Sequence, residues 1–378
     1  MSNRKIEFGA FHIIGVAHSI ANGDYPTDPF TNKATFMAKA LKDAGYKVYY
    51  YGVEGGDVQC TEFVPVCSKE TFYKQYPDHA ATVATSFATC KGAAWDEFFA
   101  RCPGEILKRL EGDGSRDFVL PFFGWPMEKI TDQTPCNVVE PGIGHPGPYH
   151  ETKAFRIWES YAWQHFMYGK EAKDEVDKWP THYSTVIPTM VDPEEFPFSE
   201  DKDDYFMFMG RLNWGKGISV ALEVANYFNK KLVVAGAGDI NSAISSSIDR
   251  KNLEFLGVLK HKEKCDYLKK AKIFFCPSLY VEPFGHVVVE AGMCGTPILC
   301  TDFGAFTETV LPGKTGFRCR TFQDYIDGVK NIDTISPTTC RELAIKRFST
   351  EKLLPVYLKF FNDILIQRLD DRGWYAVN

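Results

Sequence analysis

The stretch that decides the fold is YFMFMGRLNWGKGISVALEVANYFNKKLVVAGAG, residues 205–238. It begins with an apolar run of strand length, passes through a glycine-containing loop, continues with apolar residues at helical spacing and ends in a second apolar run. A strand, a helix and a strand in that order are typical of parallel sheets with crossover helices.

The same alternation extends from this stretch in both directions along the chain. Before it, the segments are KATFMAKALKDAG, YKVYYYG, RDFVLPFFG, PCNVVEPG and HYSTVIP; after it, they are LEFLGVL, KEKCDYLKKAK, IFFCPS, HVVVEAGMCG and TPILCTD. The fold class that this pattern predicts is α/β with parallel sheets.

The length of 378 residues exceeds what one hydrophobic core usually serves, so two domains of similar size are expected. A segment rich in Pro and acidic residues, TMVDPEEFPFSEDKDD, has the composition of a linker between compact units. We predict domains at residues 1–188 and 189–350. We expect residues 351–378 to form a helical segment that packs back towards the first domain.

The charge distribution excludes one class of partner. The formal net charge is −6, and neither half of the chain is basic enough for a nucleic-acid surface. No nucleic-acid partner is therefore expected, and a small-molecule ligand is favoured.

The eleven cysteines contain no C-x-x-C pair, and several lie in apolar segments such as KIFFCPS and TPILCTD. This usage predicts buried free thiols in a reducing compartment. No apolar run approaches the roughly 18 residues that a membrane span needs. We expect a cytoplasmic protein and leave peripheral membrane contact open.

The segment VEPFGHVVVEAGMCGTP, residues 281–297, contains two carboxylates eight positions apart. Pro283 disfavours helical geometry at Glu282, whereas the apolar run predicts a helix starting near Gly285 that carries Glu290 about one turn in. The free N–H groups of Phe284, Gly285 and His286 would then form an anion site at the helix start, and Gly285 would allow close approach. The carboxylates would be roughly 10 to 12 Å apart, which leaves room for a diphosphate between them.

A second segment, FMGRLNWGKGISVALEVA, residues 208–225, follows a strand and precedes a helix. Arg211 and Lys216 supply two cations in its loop, which suits a diphosphate. GRLNWGK also satisfies part of a phosphate-binding P-loop, but Gly217 stands where that motif needs Ser or Thr to hold magnesium.

The segment GIGHPG, residues 142–147, matches a dinucleotide-binding pattern by chance, because the surrounding prolines prevent the required helix. A metal site at His145, His150 and Glu151 is disfavoured by the spacing. We interpret His145 as a polar group lining a cleft. The aromatic residues of PFFGWP and WESYAW fit core packing better than sugar stacking.

Taken together, GRLNWGKG, VVAGAGD, EFLGVL, CPSLYVEPFGHVVVEAGMCGTPILCTDFGAFTETV and GKTGF resemble the C-terminal domain of the retaining glycosyltransferases of family 4. VIPTMVDPEEF is similar to the family's entry to that domain, with Thr189 and Met190 replacing the usual Asn-Gly. The resemblance covers about residues 184–320. It implies a GT-B fold, with two Rossmann-like domains facing across a cleft, the first binding the acceptor and the second the nucleotide-sugar donor.

The resemblance also implies roles for the residues of the family's E-x7-E motif and of the GRLNWGKG loop. Glu290 would hydrogen-bond the ribose, while Glu282 with the backbone of Phe284 and Gly285 would face the sugar, and His286 belongs to the donor-binding residues. The donor diphosphate would be held by Gly210, Arg211 and Lys216. His145 lies about where the family often has a histidine near the donor sugar, although the surrounding motif does not match. In the first domain, GVAHSIANGDYPTDPFTN departs from the family's Gly-Gly pattern.

The expected activity is transfer of a sugar, with retention at the anomeric carbon, from a nucleoside diphosphate to an acceptor hydroxyl. Since cations and backbone amides can stabilise the departing diphosphate, neither a metal nor a cofactor is expected. The acceptor could be a glycan, a lipid-linked sugar, a protein or a small molecule. The alternatives are a glycoside hydrolase, a nucleotide-sugar epimerase or phosphorylase of the same architecture, and a non-catalytic nucleotide-sugar-binding protein.

Overall fold

The computed structural model describes residues 7–22, 29–77, 90–148, 154–172 and 184–369. Residues His150 and Glu151, part of the N-terminal loop and the end of the C-terminal segment lie outside the described residues. Within the described part, two parallel sheets are present, one in each half of the chain.

The first sheet has seven strands in the order β3-β2-β1-β4-β5-β6-β7, and every neighbouring pair is parallel. In chain order the elements are β1 Phe11–Ile14, α1 Pro29–Asp43, β2 Val48–Val53, β3 Glu62–Cys67, α2 Lys69–Gln75, α3 Ala93–Leu107, β4 Phe118–Pro121, α4 Glu128–Thr131, β5 Asn137–Ile143, β6 Phe155–Trp158, α5 Tyr161–Ala172 and β7 Ser184–Val186.

The second sheet has six parallel strands in the order β10-β9-β8-β11-β12-β13. Its elements, with the helices that follow it, are β8 Tyr205–Met209, α6 Ile218–Tyr227, β9 Lys231–Ala235, α7 Ile240–Ala243, β10 Leu253–Phe255, α8 His261–Lys270, β11 Ile273–Cys276, α9 His286–Met293, β12 Ile298–Thr301, α10 Phe306–Thr309, β13 Gly316–Cys319, α11 Phe322–Asn331, α12 Pro337–Phe348 and α13 Thr350–Leu369.

The segment 205–238 forms the predicted unit, with β8 and β9 parallel from Tyr205 opposite Lys231 to Met209 opposite Ala235. The predicted fold class of two parallel-sheet α/β units is confirmed. Three strands were missed: β3, β6 and β13. Their sequences EFVPVC, FRIW and GFRC are short, and a Pro or an Arg interrupts the apolar residues of each.

Helix α13 returns from the second half of the chain to the core of the first. Phe361 is fully buried, and its ring lies 5.0 Å from that of Phe118 and 5.4 Å from that of Phe11. Burial of one such side chain stabilises the fold by about 2 kcal/mol. Within the described residues the chain therefore crosses between the units twice. The two crossings are hydrogen-bonded to each other, Val191 N to Phe348 O at 2.9 Å and Thr350 N to Val191 O at 3.0 Å.

All eleven cysteines are free thiols, and most of them are buried. No helix in the described residues is long and apolar enough to cross a membrane.

The strand order determines where a ligand can bind. In the second sheet β8 lies between β9 and β11. Successive strands are therefore added on one side of β8 up to β10 and on its other side from β11 onwards. In open parallel sheets a crevice forms outside the carboxyl ends of the strands at such a point. The loops after β8 and β11 hold the two segments singled out in the sequence.

Candidate active site

The loops after β8 and β11 pack directly on each other. Leu279 N donates to Gly215 O at 2.8 Å, which joins two segments more than 60 residues apart in the chain. Gly217 takes a left-handed conformation with φ of 73°, and a Cβ there would lie 2.0 Å from Pro277 O. Glycine at position 217 is thus required by the close approach of the two loops.

Lys216 and Glu282 form an ion pair at this junction. Lys216 Nζ lies 2.9 Å from Glu282 Oε2, and Ser278 Oγ donates to the same oxygen at 2.9 Å. Burial tends to raise the pKa of Glu282, but the charge of Lys216 and the hydrogen bonds of Ser278 and Tyr280 hold it below its usual value. Burial likewise opposes the charge of Lys216, yet Glu282 raises its pKa. Both groups are therefore charged at neutral pH.

Arg211 and Gly210 lie at the start of the same loop. Gly210 N donates to Ala235 O at 3.1 Å, which ties the end of β8 to β9, and Arg211 is exposed. The structure thus puts the two predicted cations in one loop, with Lys216 buried against a carboxylate and Arg211 at the surface. Their binding of a diphosphate stays a prediction.

Helix α9 begins where the sequence predicted, with Gly285 at the N-cap and His286 as the first helical residue. Gly285 has φ of 79°, and a Cβ there would lie 2.8 Å from Phe306 Cε1. Among the described residues no side chain caps this helix start, and Val288 N already donates to Gly285 O at 2.9 Å. The N–H groups of His286 and Val287 therefore remain for an anion.

Glu290 lies on α9 and is 7% exposed. Its Oε1 is 3.0 Å from Lys264 Nζ on α8, whereas its Oε2 is buried and has no hydrogen-bond partner among the described residues. Burial raises the pKa of Glu290, but the charge of Lys264 outweighs this effect and lowers it. A buried carboxylate oxygen without a partner is costly, and a ligand hydroxyl would satisfy it.

His145 lies in the loop after β5, opposite the Glu282–His286 turn. Its neighbour Gly144 faces Pro283, where a Cβ on Gly144 would lie 3.3 Å from Pro283 Cβ. His145 Nε2 contacts Glu140 Oε1 at 3.1 Å, and Nδ1 accepts from Gly147 N at 3.3 Å. Both ring nitrogens are thus engaged within the protein, and a role for His145 near a donor sugar stays a prediction.

Sequence reasoning missed Glu159, which immediately follows β6 and is 2% exposed. Its Oε1 lies 3.4 Å from Lys33 Nζ and 2.8 Å from His286 Nε2, and it accepts from Thr189 Oγ1 at 2.7 Å. Burial raises the pKa of Glu159, but Lys33 and His286 lower it to about 2. The available signal was a charged residue within WESYAW, a segment interpreted through its aromatic residues.

Polar contacts beside Glu159 also join the two halves of the chain. Ser160 Oγ donates to Pro283 O at 2.6 Å. Glu308 of α10 accepts from the first amides of α5, Tyr161 N at 3.0 Å and Ala162 N at 2.7 Å. A carboxylate of the second unit therefore caps a helix of the first.

Among the described residues, one group has ligand atoms close enough to hold a metal: His12, Asp117 and Cys136. Its atoms are already used, because Asp117 accepts from Ala10 N at 2.8 Å and Glu111 N at 2.9 Å, and His12 Nδ1 contacts Tyr51 OH at 2.8 Å. Asp117 lies before the amino end of β4, so this buried network stabilises the first sheet and does not belong to the crevice.

Comparison with known proteins agrees with this geometry. Residues 192–336 match the model of the family described as Glycosyl transferases group 1. Over 149 residues the chain is 31% identical to a glycogen synthase of Mycobacterium tuberculosis, covering 36% of this chain and 36% of that protein. The chain thus spans about a third of the length of that relative.

Two solved structures resemble nearly the whole chain. AviGT4, a glycosyltransferase involved in avilamycin A biosynthesis, has a TM-score of 0.66 at 18% identity, covering 94% of this chain and 98% of that one. HepE of Anabaena, in complex with UDP and glucose, has a TM-score of 0.61 at 13% identity, covering 96% and 100%. These likenesses confirm the predicted GT-B fold of two facing Rossmann-like units.

Proposed function

We propose that this protein is a retaining glycosyltransferase of family 4, which transfers a sugar from a nucleoside diphosphate to an acceptor hydroxyl. The observation that carries the proposal is the grouping at the carboxyl ends of β8 and β11. There Lys216, Glu282 and the uncapped start of α9 lie together, and Glu290 lies along the same helix.

The diphosphate is the part of the donor on which negative charge grows as the sugar–phosphate bond breaks. Amides at the start of α9 point to that charge, and Lys216 and Arg211 add two cations from the neighbouring loop. Groups oriented in advance towards developing charge usually supply the largest catalytic contribution. In this proposal they meet the need for positive charge, so no metal ion is required.

Glu282 has two functions in this proposal. It holds Lys216 within the loop junction, where the amine can contact both the carboxylate and a phosphate oxygen, and it faces the sugar to be transferred. The amine has three donors, which is enough for both partners. Glu282 is not assigned as a nucleophile.

Glu290 would bind the ribose through Oε2, the oxygen that has no protein partner among the described residues. Lys264 keeps the carboxylate charged through its contact with Oε1. A charged acceptor binds a hydroxyl donor more strongly than a neutral one does. The arrangement therefore favours a ribonucleotide.

The glycoside hydrolase alternative is disfavoured by the charge state of both carboxylates. A glycosidase needs one carboxylic acid with a raised pKa as its proton donor. Glu282 and Glu290 instead each contact a lysine, and the pKa of both is lowered.

HepE was solved with UDP and glucose, which makes UDP the first nucleotide to test and UDP-glucose the first donor. The names of the similar proteins include a glycogen synthase and an enzyme of avilamycin A biosynthesis, so the acceptor class stays broad: a glycan, a lipid-linked sugar or a small molecule. We propose a cytoplasmic location, which the eleven free thiols favour, with peripheral membrane contact open.

The test is calorimetric titration of UDP, GDP and ADP in the presence of a chelator. We expect selective binding of one nucleotide, loss of that binding in Lys216→Ala, and unchanged binding in Lys231→Ala. Lys231 is a suitable control because its side chain forms an exposed ion pair with Glu254 at the start of β9. Failure of the wild-type protein to bind any of the three nucleotides would contradict the proposed function.

A second measurement separates transfer from binding alone. With UDP-glucose as donor, release of UDP that increases with added acceptor indicates a transferase. Binding without release would indicate a nucleotide-sugar-binding protein, and loss of donor without dependence on acceptor would indicate an epimerase or hydrolase.

A further inference from the structure

The side chain of Glu159 lies between the two halves of the molecule, where a buried charge must be compensated by neighbouring groups. One oxygen, Oε1, contacts Lys33 of α1, Thr189 of the linker and His286 of α9. The other oxygen, Oε2, occupies the space left by Gly144, where a Cβ would lie only 2.0 Å away. The surroundings are thus built around a carboxylate at this position.

Lys33 explains why the carboxylate of Glu159 can stay charged although it is buried. Its Nζ donates to Gly142 O at 2.6 Å and lies 3.4 Å from Glu159, and the Lys33 side chain is 4% exposed. Lys33 and Glu159 both belong to the first unit, so this pair is formed without a residue of the second unit. The amine of Lys33 and the hydroxyl of Thr189 stabilise the carboxylate in addition to its contact with His286.

His286 is where Glu159 contacts the second unit. Nε2 lies 2.8 Å from Glu159 Oε1, but it is not aligned for a regular hydrogen bond. The His286 ring also packs edge-on against Phe284, with ring centroids 5.0 Å apart. Ser160 binds Pro283 O in the same turn at 2.6 Å. Two successive residues of the first unit therefore hold the turn that starts α9.

We propose that Glu159 is a positioning residue, which orients His286 and with it the amide groups at the start of α9 towards the departing diphosphate. This inference rests on the proposed function. Because charge on the diphosphate grows during the reaction, misplaced amides reduce stabilisation of the transition state more than that of the bound donor. Loss of the contact is therefore expected to lower kcat more than it changes nucleotide affinity.

The sign of the effect distinguishes this role from simple electrostatics. Removing a negative charge near a diphosphate site would by itself strengthen binding of the anion. A positioning role predicts slower turnover even though a repulsive charge has been removed. Faster turnover together with tighter UDP binding in Glu159→Gln would overturn the proposal.

The experiment compares kcat, KM for UDP-glucose and Kd for UDP in Glu159→Gln and Glu159→Asp. We expect both variants to lower kcat about tenfold or more while Kd for UDP changes less than threefold. The Asp variant keeps the negative charge but shortens the side chain by one methylene, which withdraws the carboxylate from His286, so it tests the contact even if the Gln variant does not fold. Thr189→Val is the matched control: it removes another hydrogen bond to the same oxygen and is expected to keep kcat within threefold.

A double-mutant cycle identifies the path of the effect. If Glu159 acts through His286, the kcat of Glu159→Asp combined with His286→Asn will be close to that of His286→Asn alone. Multiplicative losses, or a wild-type kcat in Glu159→Asp, would refute the inference. The proposed function fails separately, when the wild-type protein binds no nucleotide and releases none from a donor.

Discussion

Replacement of Lys216 by alanine is expected to destabilise the protein in a pH-dependent way, because it leaves Glu282 buried without its cation. The pair lies 2.9 Å apart, and the two side chains are 14% and 9% exposed. At an effective dielectric constant of about 20 their attraction is about 6 kcal/mol. Ser278 and Tyr280 continue to stabilise the carboxylate, so we expect a net loss of about 3 kcal/mol at pH 7.5.

The pH dependence follows from the direction of each pKa. In the wild-type protein the folded pKa of Glu282 is lowered, so its stabilisation is complete above the unfolded value of about 4.3 and is lost only as pH falls through the folded value. Without Lys216, we expect burial to outweigh the hydrogen bonds of Ser278 and Tyr280 and to raise the folded pKa of Glu282 above the unfolded one. The buried, unpaired carboxylate then destabilises the folded variant at high pH, and protonation of Glu282 removes this destabilisation as pH falls. The stability difference between the two proteins should therefore shrink between pH 7.5 and pH 5.

The assay is urea denaturation of both proteins at the two pH values, with Lys216→Ala/Glu282→Gln as a third protein. The double variant buries no unpaired charge, so its urea midpoint should lie above that of Lys216→Ala at pH 7.5. The difference between its midpoint and that of the wild-type protein should be the same at both pH values. An equal difference between wild type and Lys216→Ala at both pH values would refute the reasoning.

Three further predictions concern the helix start, the loop junction and the interdomain cap. Glu290→Gln should weaken UDP binding about tenfold in calorimetry, and 2′-deoxy-UDP should bind the wild-type protein equally poorly if Oε2 holds the ribose. Gly217→Ala, whose Cβ would lie 2.0 Å from Pro277 O, should lower the free energy of unfolding by about 3 kcal/mol in thermal unfolding. The control is Gly313→Ala, which has the same φ of 73° with nothing within 4 Å and should lower it by only about 1 kcal/mol. Equal losses in the two variants would exclude the clash. Glu308→Gln weakens the cap on α5 and should reduce stability by about 1 kcal/mol, and an unchanged urea midpoint would count against that contact.

Much of the second unit could be predicted from the sequence because its signals are local. Helix α9 begins at His286 as expected, since Pro283, Gly285 and the following apolar run all act within a few residues. Helix α13 covers residues 350–369 for the same reason. Strands β3, β6 and β13 lack such a run, and they were missed although each pairs in a parallel sheet.

The sequence by itself determined which residue types could meet a diphosphate and a ribose: two cations after β8, and two carboxylates around the start of α9. Only the tertiary structure decided their partners. Lys216 pairs with Glu282, 66 positions away, and Glu159 reaches His286 across the boundary between the two units. Periodicity reports which side of an element faces a core, and turn residues report where an element ends. The partner of a buried charge depends instead on strand order, which brings the ends of distant strands to the same edge of the sheet.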